Sequence, residues 1–107
     1  SKVMGMRPYS YVVAGIKTTT QQCEANGIDL YEQFEENEHD IRAIYGEGAD
    51  DVLIGKVLFR TDPYGDTDGV TMLVVPDMDE LLVQIKASGV DTATMSQVEL
   101  YAITVWL

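Results

Sequence analysis

The stretch from residue 51 to residue 75 constrains the fold most. It reads Asp51-Val52-Leu53-Ile54-Gly55-Lys56-Val57-Leu58-Phe59-Arg60, then Thr61-Asp62-Pro63-Tyr64-Gly65-Asp66-Thr67-Asp68-Gly69, then Val70-Thr71-Met72-Leu73-Val74-Val75. The flanks are apolar and rich in β-branched residues. The middle holds Pro, Gly and Asp, each of which favours turns for its own backbone reason. The pattern predicts a β-hairpin with a polar tip longer than a two-residue turn. On the first arm, Leu53, Gly55, Val57 and Phe59 would share one face and Val52, Ile54, Lys56, Leu58 and Arg60 the other.

The remaining elements are read around this hairpin. Residues 9–18 form a β-prone run that is apolar on both faces, as expected of a strand covered on both sides. Residues 21–26 follow three threonines and suit a short helix ended by Gly27. Residues 29–45 predict a longer helix, with Asp29 as cap, Glu32 as capping-box partner, and Leu30, Phe34 and Ile41 as its stripe. The stripe lapses at Asn37 and Glu38, so a break is allowed there. Residues 77–88 predict a second helix between Asp77 with Glu80 and the C-terminal Gly89, burying Met78, Leu81, Leu82 and Ile85. The run 81–86 also suits a strand, but the caps favour the helix. Residues 98–107 read as a last strand, apolar on both faces.

The order β-α-β-β-α-β predicts a single α+β domain over residues 1–107. A four-stranded antiparallel sheet would carry two helices on one face, as in a ferredoxin-like plait. That arrangement leaves the second sheet face bare, and a bare apolar face is a site for a second copy, a ligand or a partner.

Composition narrows the function classes. Hydrophobic residues make up 46% of the 107, too many for a disordered chain. Cys23 is the only cysteine, so neither an intrachain disulfide nor a four-thiolate zinc site can form within one chain. No apolar run approaches a membrane span, and residues 1–8 lack the apolar core of a signal peptide, so a cytoplasmic location is expected. The net charge of −11 and a pI near 4.1 argue against binding to nucleic-acid phosphates or anionic membranes. They admit basic proteins and cationic ligands, or simply keep the chain soluble. The charge is uneven: residues 24–51 hold ten acids against Arg42 alone. Glu32, Glu35, Glu36, Glu38 and Asp40 would then form a one-signed face for a basic partner.

Material for catalysis is sparse. His39, the only histidine, lies in Glu38-His39-Asp40 and reads as a solvated surface residue rather than a base or metal ligand. Cys23 lies among acids, which would raise a thiol pKa, and reads as buried and inert. Asp66, Asp68 and Gly69 fit part of a calcium loop. Tyr64 occupies the first ligand position, however, and Val75 the place of the bidentate Glu, so the motif fails. No cofactor or metal is expected. The binding candidates are Glu99 and Tyr101, on one face of the last strand, joined by Tyr11 and, from the opposite face, Trp106. A carboxylate beside aromatic rings attracts a cation by charge and by ring quadrupole.

Four stretches carry a family resemblance: Val13-Ala14-Gly15-Ile16-Lys17-Thr18-Thr19; Ile28-Asp29-Leu30-Tyr31-Glu32-Gln33-Phe34; the tip from Thr61 to Gly69; and Leu100-Tyr101-Ala102-Ile103-Thr104. Together they resemble the GyrI-like effector-binding domains, including integron-associated ones. The resemblance implies an aromatic-lined pocket with an acidic residue for cationic, amphipathic small molecules. Such domains repeat a strand, helix and hairpin half, and the chain stops where the second half would continue, so dimerisation would complete the pocket. The expected function is a non-enzymatic binding domain, homodimeric through the open sheet face. The alternative is an acidic inhibitor or immunity-type protein that docks a basic partner.

Overall fold

The computed structural model describes residues 7–34, 38–46, 48–61, 63, 69–93 and 95–106. Its elements are β1 (Pro8–Thr19), α1 (Thr20–Ala25), β2 (Arg42–Ile44), β3 (Asp51–Thr61), α2 (Met78–Ala87) and β4 (Glu99–Trp106). They form one antiparallel sheet in the order β2-β3-β1-β4. The expected α+β class and the β-α-β-β-α-β order are both present.

Two strands are not where the sequence pattern puts them. The hairpin that leads into β3 comes from β2: Arg42, Ala43 and Ile44 pair with Gly55, Ile54 and Leu53. Residues 70–75, predicted as the second hairpin arm, belong to no strand, and their side chains are exposed. The helix predicted over residues 29–45 is also absent among the described residues of that range. Asp29 does cap, accepting from the backbone N–H of Tyr31 at 2.9 Å and of Glu32 at 3.2 Å, and Gln33 N–H donates to Asp29 C=O, but residues 30–34 form a turn. Leu30, Phe34 and Ile41 nevertheless reach the core, from an irregular path. Asp40 adopts φ 55°, a left-handed conformation that turns the chain into β2 and ends any helix.

The helix at residues 77–88 forms as expected, over Met78–Ala87, which excludes the competing strand. Asp77 caps it by accepting from Asp79 N–H at 2.9 Å and Glu80 N–H at 3.0 Å, and Gly89 (φ 91°) closes its C-terminus. Leu81 and Ile85 pack with Cys23, Ile28, Ile41 and Val90 on the sheet face formed by Ala14, Ile16, Val52 and Ile54. The Gln33 side chain donates to Ser88 C=O at 3.1 Å and ties the 29–34 turn to the end of α2.

The second sheet face is not bare. Val13, Leu53 and Val105 lie on it by register and are all buried. Gly15 and Gly55 face each other across β1 and β3. A Cβ on Gly15 would stand 2.1 Å from Ile54 O and 2.8 Å from Gly55 Cα; one on Gly55 would stand 2.1 Å from Ala14 O. In a flat sheet that Cβ direction is perpendicular to the neighbouring strand. Here it runs into it, so the sheet is creased toward this face, a role that suits paired glycines. The crease carries the β2–β3 connection over to the opposite edge. The space beside Gly46 is bounded by Ala49 and by Val105 of β4, at 3.7 and 3.8 Å from a Cβ built there.

A bulge then changes which side chains face inward. The β1–β3 register shifts between Val12 and Val13, leaving Leu58 without a directly opposed residue. Beyond it, Phe59 pairs with Val12 and Arg60 with Tyr11, so Phe59 and Arg60 exchange the faces that strict alternation assigns them.

Candidate functional site

Glu99, Tyr101 and Tyr11 are brought to one face of the curled sheet. Along β4 the register pairs Glu99 with Gly15, Tyr101 with Val13 and Ile103 with Tyr11. The Tyr101 hydroxyl donates to Glu99 Oε2 at 3.5 Å and lies 3.3 Å from Ser96 Oγ, which accepts from Lys17 N–H at 2.7 Å. Beside this group is a shallow cavity of about 190 Å³, lined by Lys17, Asp51, Leu53, Tyr101 and Ile103 among others. It is smaller than the roughly 300 Å³ at which small-molecule sites begin, and Lys17 at its wall opposes a second cation.

The Tyr9 and Tyr11 rings lie under the Arg60 guanidinium, whose carbon is 4.8 and 5.9 Å from their centroids. These rings therefore already hold a cation from their own chain. Trp106, opposite Pro8 in the register, lies on the helix-side face, away from Tyr101.

Among the described residues, Glu32, Glu38 and Asp40 do not share a helix face. Glu32 follows the Asp29 turn in solvent, and Glu35 and Glu36 lie outside the described residues. Glu38 Oε1 is 3.3 Å from His39 Nε2, and Asp40 Oδ1 accepts from Arg42 Nε at 3.2 Å. Asp66 and Asp68 of the calcium-like tip also lie outside the described residues. Among the described residues no group of three metal-ligating side chains converges, and no helix is long and apolar enough to cross a membrane. Cys23 is 1% exposed; burial pushes its thiol above the ordinary range, and a hydrogen bond with Thr18 partly opposes this.

A second groove, of about 340 Å³, runs between α2 and the connection into β4. Met78 and Leu82, one helical turn apart, supply one wall, and Met95 and Val98 the other, with Asp79 and Ser96 among its polar groups. Both walls follow from local structure. Asp77 fixes the start of α2, and Leu81 and Ile85 hold the adjoining side to the sheet. Across the groove, Val90 is buried, Asp91 accepts from Ala93 N–H at 3.0 Å, and Met95 N–H donates to Thr92 C=O at 3.1 Å. The sequence pattern assigns Met78 and Leu82 to the buried stripe. The four positions Met78, Leu81, Leu82 and Ile85 span about 100° of the helix, an ordinary core-facing stripe, so nothing in the sequence marks Met78 and Leu82 as groove walls. The chain matches no family model, no curated protein and no solved structure.

Proposed function

We propose that the chain is a non-enzymatic, homodimeric binding domain whose groove between α2 and residues 95–98 takes an amphipathic cation. The observation that carries this is the groove itself: apolar walls from Met78, Leu82, Met95 and Val98, a carboxylate from Asp79, and a volume of about 340 Å³, within the ordinary range for small-molecule sites. Methionine walls adapt to ligand shape, and Asp79 within a chain of net charge −11 favours positive over negative ligands. The resemblance to the GyrI-like domains supports the same ligand class. The free, buried Cys23 is compatible with the reducing cytoplasm we assign to the protein.

Calorimetric titration with tetraphenylphosphonium and with tetraphenylborate, two ions of one shape and opposite charge, tests the reading. Saturable binding of the cation alone is expected, weakened by Leu82→Lys and untouched by Glu99→Gln or Tyr101→Phe. Equal binding of both ions, or of neither, refutes it. Weakening only by the Glu99 and Tyr101 variants moves the site to the curled sheet face.

A further inference from the structure

Residues 70–75, Val-Thr-Met-Leu-Val-Val, contain five apolar residues, no charge and no proline. Val70 is fully exposed, Met72 is 84% exposed and Val74 73%. The backbone of these residues makes no hydrogen bond among the described residues. The partner edge of β3 is similarly incomplete. On the side away from β1, β3 is paired only at Leu53, Ile54 and Gly55, so residues 56–61 have no neighbouring strand there among the described residues. Between this edge and the exposed segment lies a groove of about 300 Å³, lined by Lys56, Val57, Leu58, Met72, Val74 and Pro76.

An uncharged β-prone segment and an open sheet edge are complementary by hydrogen bonding. Two copies of a chain with net charge −11 repel over most of their surfaces. Residues 70–75 carry no charge, and the edge at 56–61 holds Lys56 and Arg60, two of only seven basic residues. The fractional exposures leave on the order of 500 Å² of apolar surface on each segment. A reciprocal pairing would bury up to about 1,000 Å² from the two segments, near the lower bound for a specific interface.

We propose that residues 70–75 of one copy add as a strand to the 56–61 edge of a second copy, and that the exchange is reciprocal about a two-fold axis. The inference rests on the homodimer of the preceding section and not on its ligand. It replaces the sheet face, where Val13, Leu53 and Val105 are already buried, as the surface through which copies meet.

Light scattering coupled to size exclusion, with amide hydrogen exchange, tests it. The wild type is expected at twice 11.9 kDa at micromolar concentration, with residues 70–75 protected. The double variant Met72→Lys, Val74→Lys is expected as a monomer, its dimer dissociation constant raised roughly a hundredfold or more. Its circular dichroism should match the wild type, because both side chains are exposed. A dimer that persists in the variant overturns the assigned surface and leaves the homodimer standing. A monomeric wild type overturns both. If that monomer still protects residues 70–75, the segment has closed on its own edge.

Discussion

The crease at Gly15 and Gly55 makes a prediction whose size follows from the geometry. In Gly55→Ala the new methyl would sit 2.1 Å from Ala14 O and 2.6 Å from Gly15 Cα, both backbone atoms that no rotamer change can move. Relief to about 3.2 Å requires the strands to part by about 1 Å, which stretches ladder bonds of the usual length, about 2.9 Å, beyond useful range. Two weakened bonds in a buried part of the sheet cost about 2–4 kcal/mol, less the roughly 0.4–1 kcal/mol gained when alanine restricts the unfolded chain. The net loss is about 2–3 kcal/mol, a fall in Tm of about 10–20 °C for a domain this size. Gly46→Ala is the internal control. Its methyl would meet Ala49 and Val105 at 3.7 and 3.8 Å, ordinary contact distances, so that variant should match or slightly exceed the wild type. Urea and thermal unfolding followed by circular dichroism read both. Adding Gly15→Ala to Gly55→Ala should cost less than the sum of the two, since the strands part only once. A Gly55→Ala protein within about 0.5 kcal/mol of wild type would refute the close approach on which the curled sheet rests.

Two further outcomes are expected. Asp77→Ala removes the acceptor for Asp79 N–H and Glu80 N–H and should cost about 1 kcal/mol in urea unfolding, with Asp77→Asn retaining most of the stability. Cys23 sets an alkaline limit. Because burial holds the folded thiol above its ordinary value of about 9.0, the unfolded chain releases that proton first as pH rises. The Cys23 contribution is therefore complete below about pH 9 and declines above it, a slope that Cys23→Ala should abolish in urea midpoints measured across that range.

The elements that were legible in the sequence carry their own local signals. β1 and β4 are long β-prone runs, and α2 is bracketed by Asp77 and Gly89, so each could be placed without knowing its neighbours. The 29–45 region shows where such signals end. Leu30, Phe34 and Ile41 recur at helical spacing and all reach the core, yet three apolar anchors constrain an irregular path as well as a helix. The register shift at Val12 and Val13 left no mark in composition. It moved Arg60 over Tyr9 and Tyr11 and so occupied rings that the sequence offered to a ligand. Likewise, Gly15 and Gly55 are ordinary glycines until the pairing sets them opposite each other. The groove at Met78 and Leu82 needed the α2–sheet packing to show that only Leu81 and Ile85 are fully used by the core.

Residues 70–75 carry a sound local strand pattern, and their absence from the sheet is informative for that reason. Alternating β-branched and apolar residues specify a strand; they do not specify whose sheet receives it. β2 occupies the β3 edge only at Leu53, Ile54 and Gly55, so residues 56–61 can receive a strand without displacing it. Entropy of the connection does not choose between β2 and the 70–75 segment, because closure cost grows only slowly with loop length. Burial does: β2 carries Ala43 against the core and follows Ile41, which is fully buried, whereas residues 70–75 bring nothing to that cluster. A strand that adds little to its own core gains the same edge hydrogen bonds from another copy as from itself. The choice between the two then depends on protein concentration relative to the effective concentration of the tethered segment. The groove that separates Met72 and Val74 from Val57 and Leu58 is the gap that self-closure would have to remove.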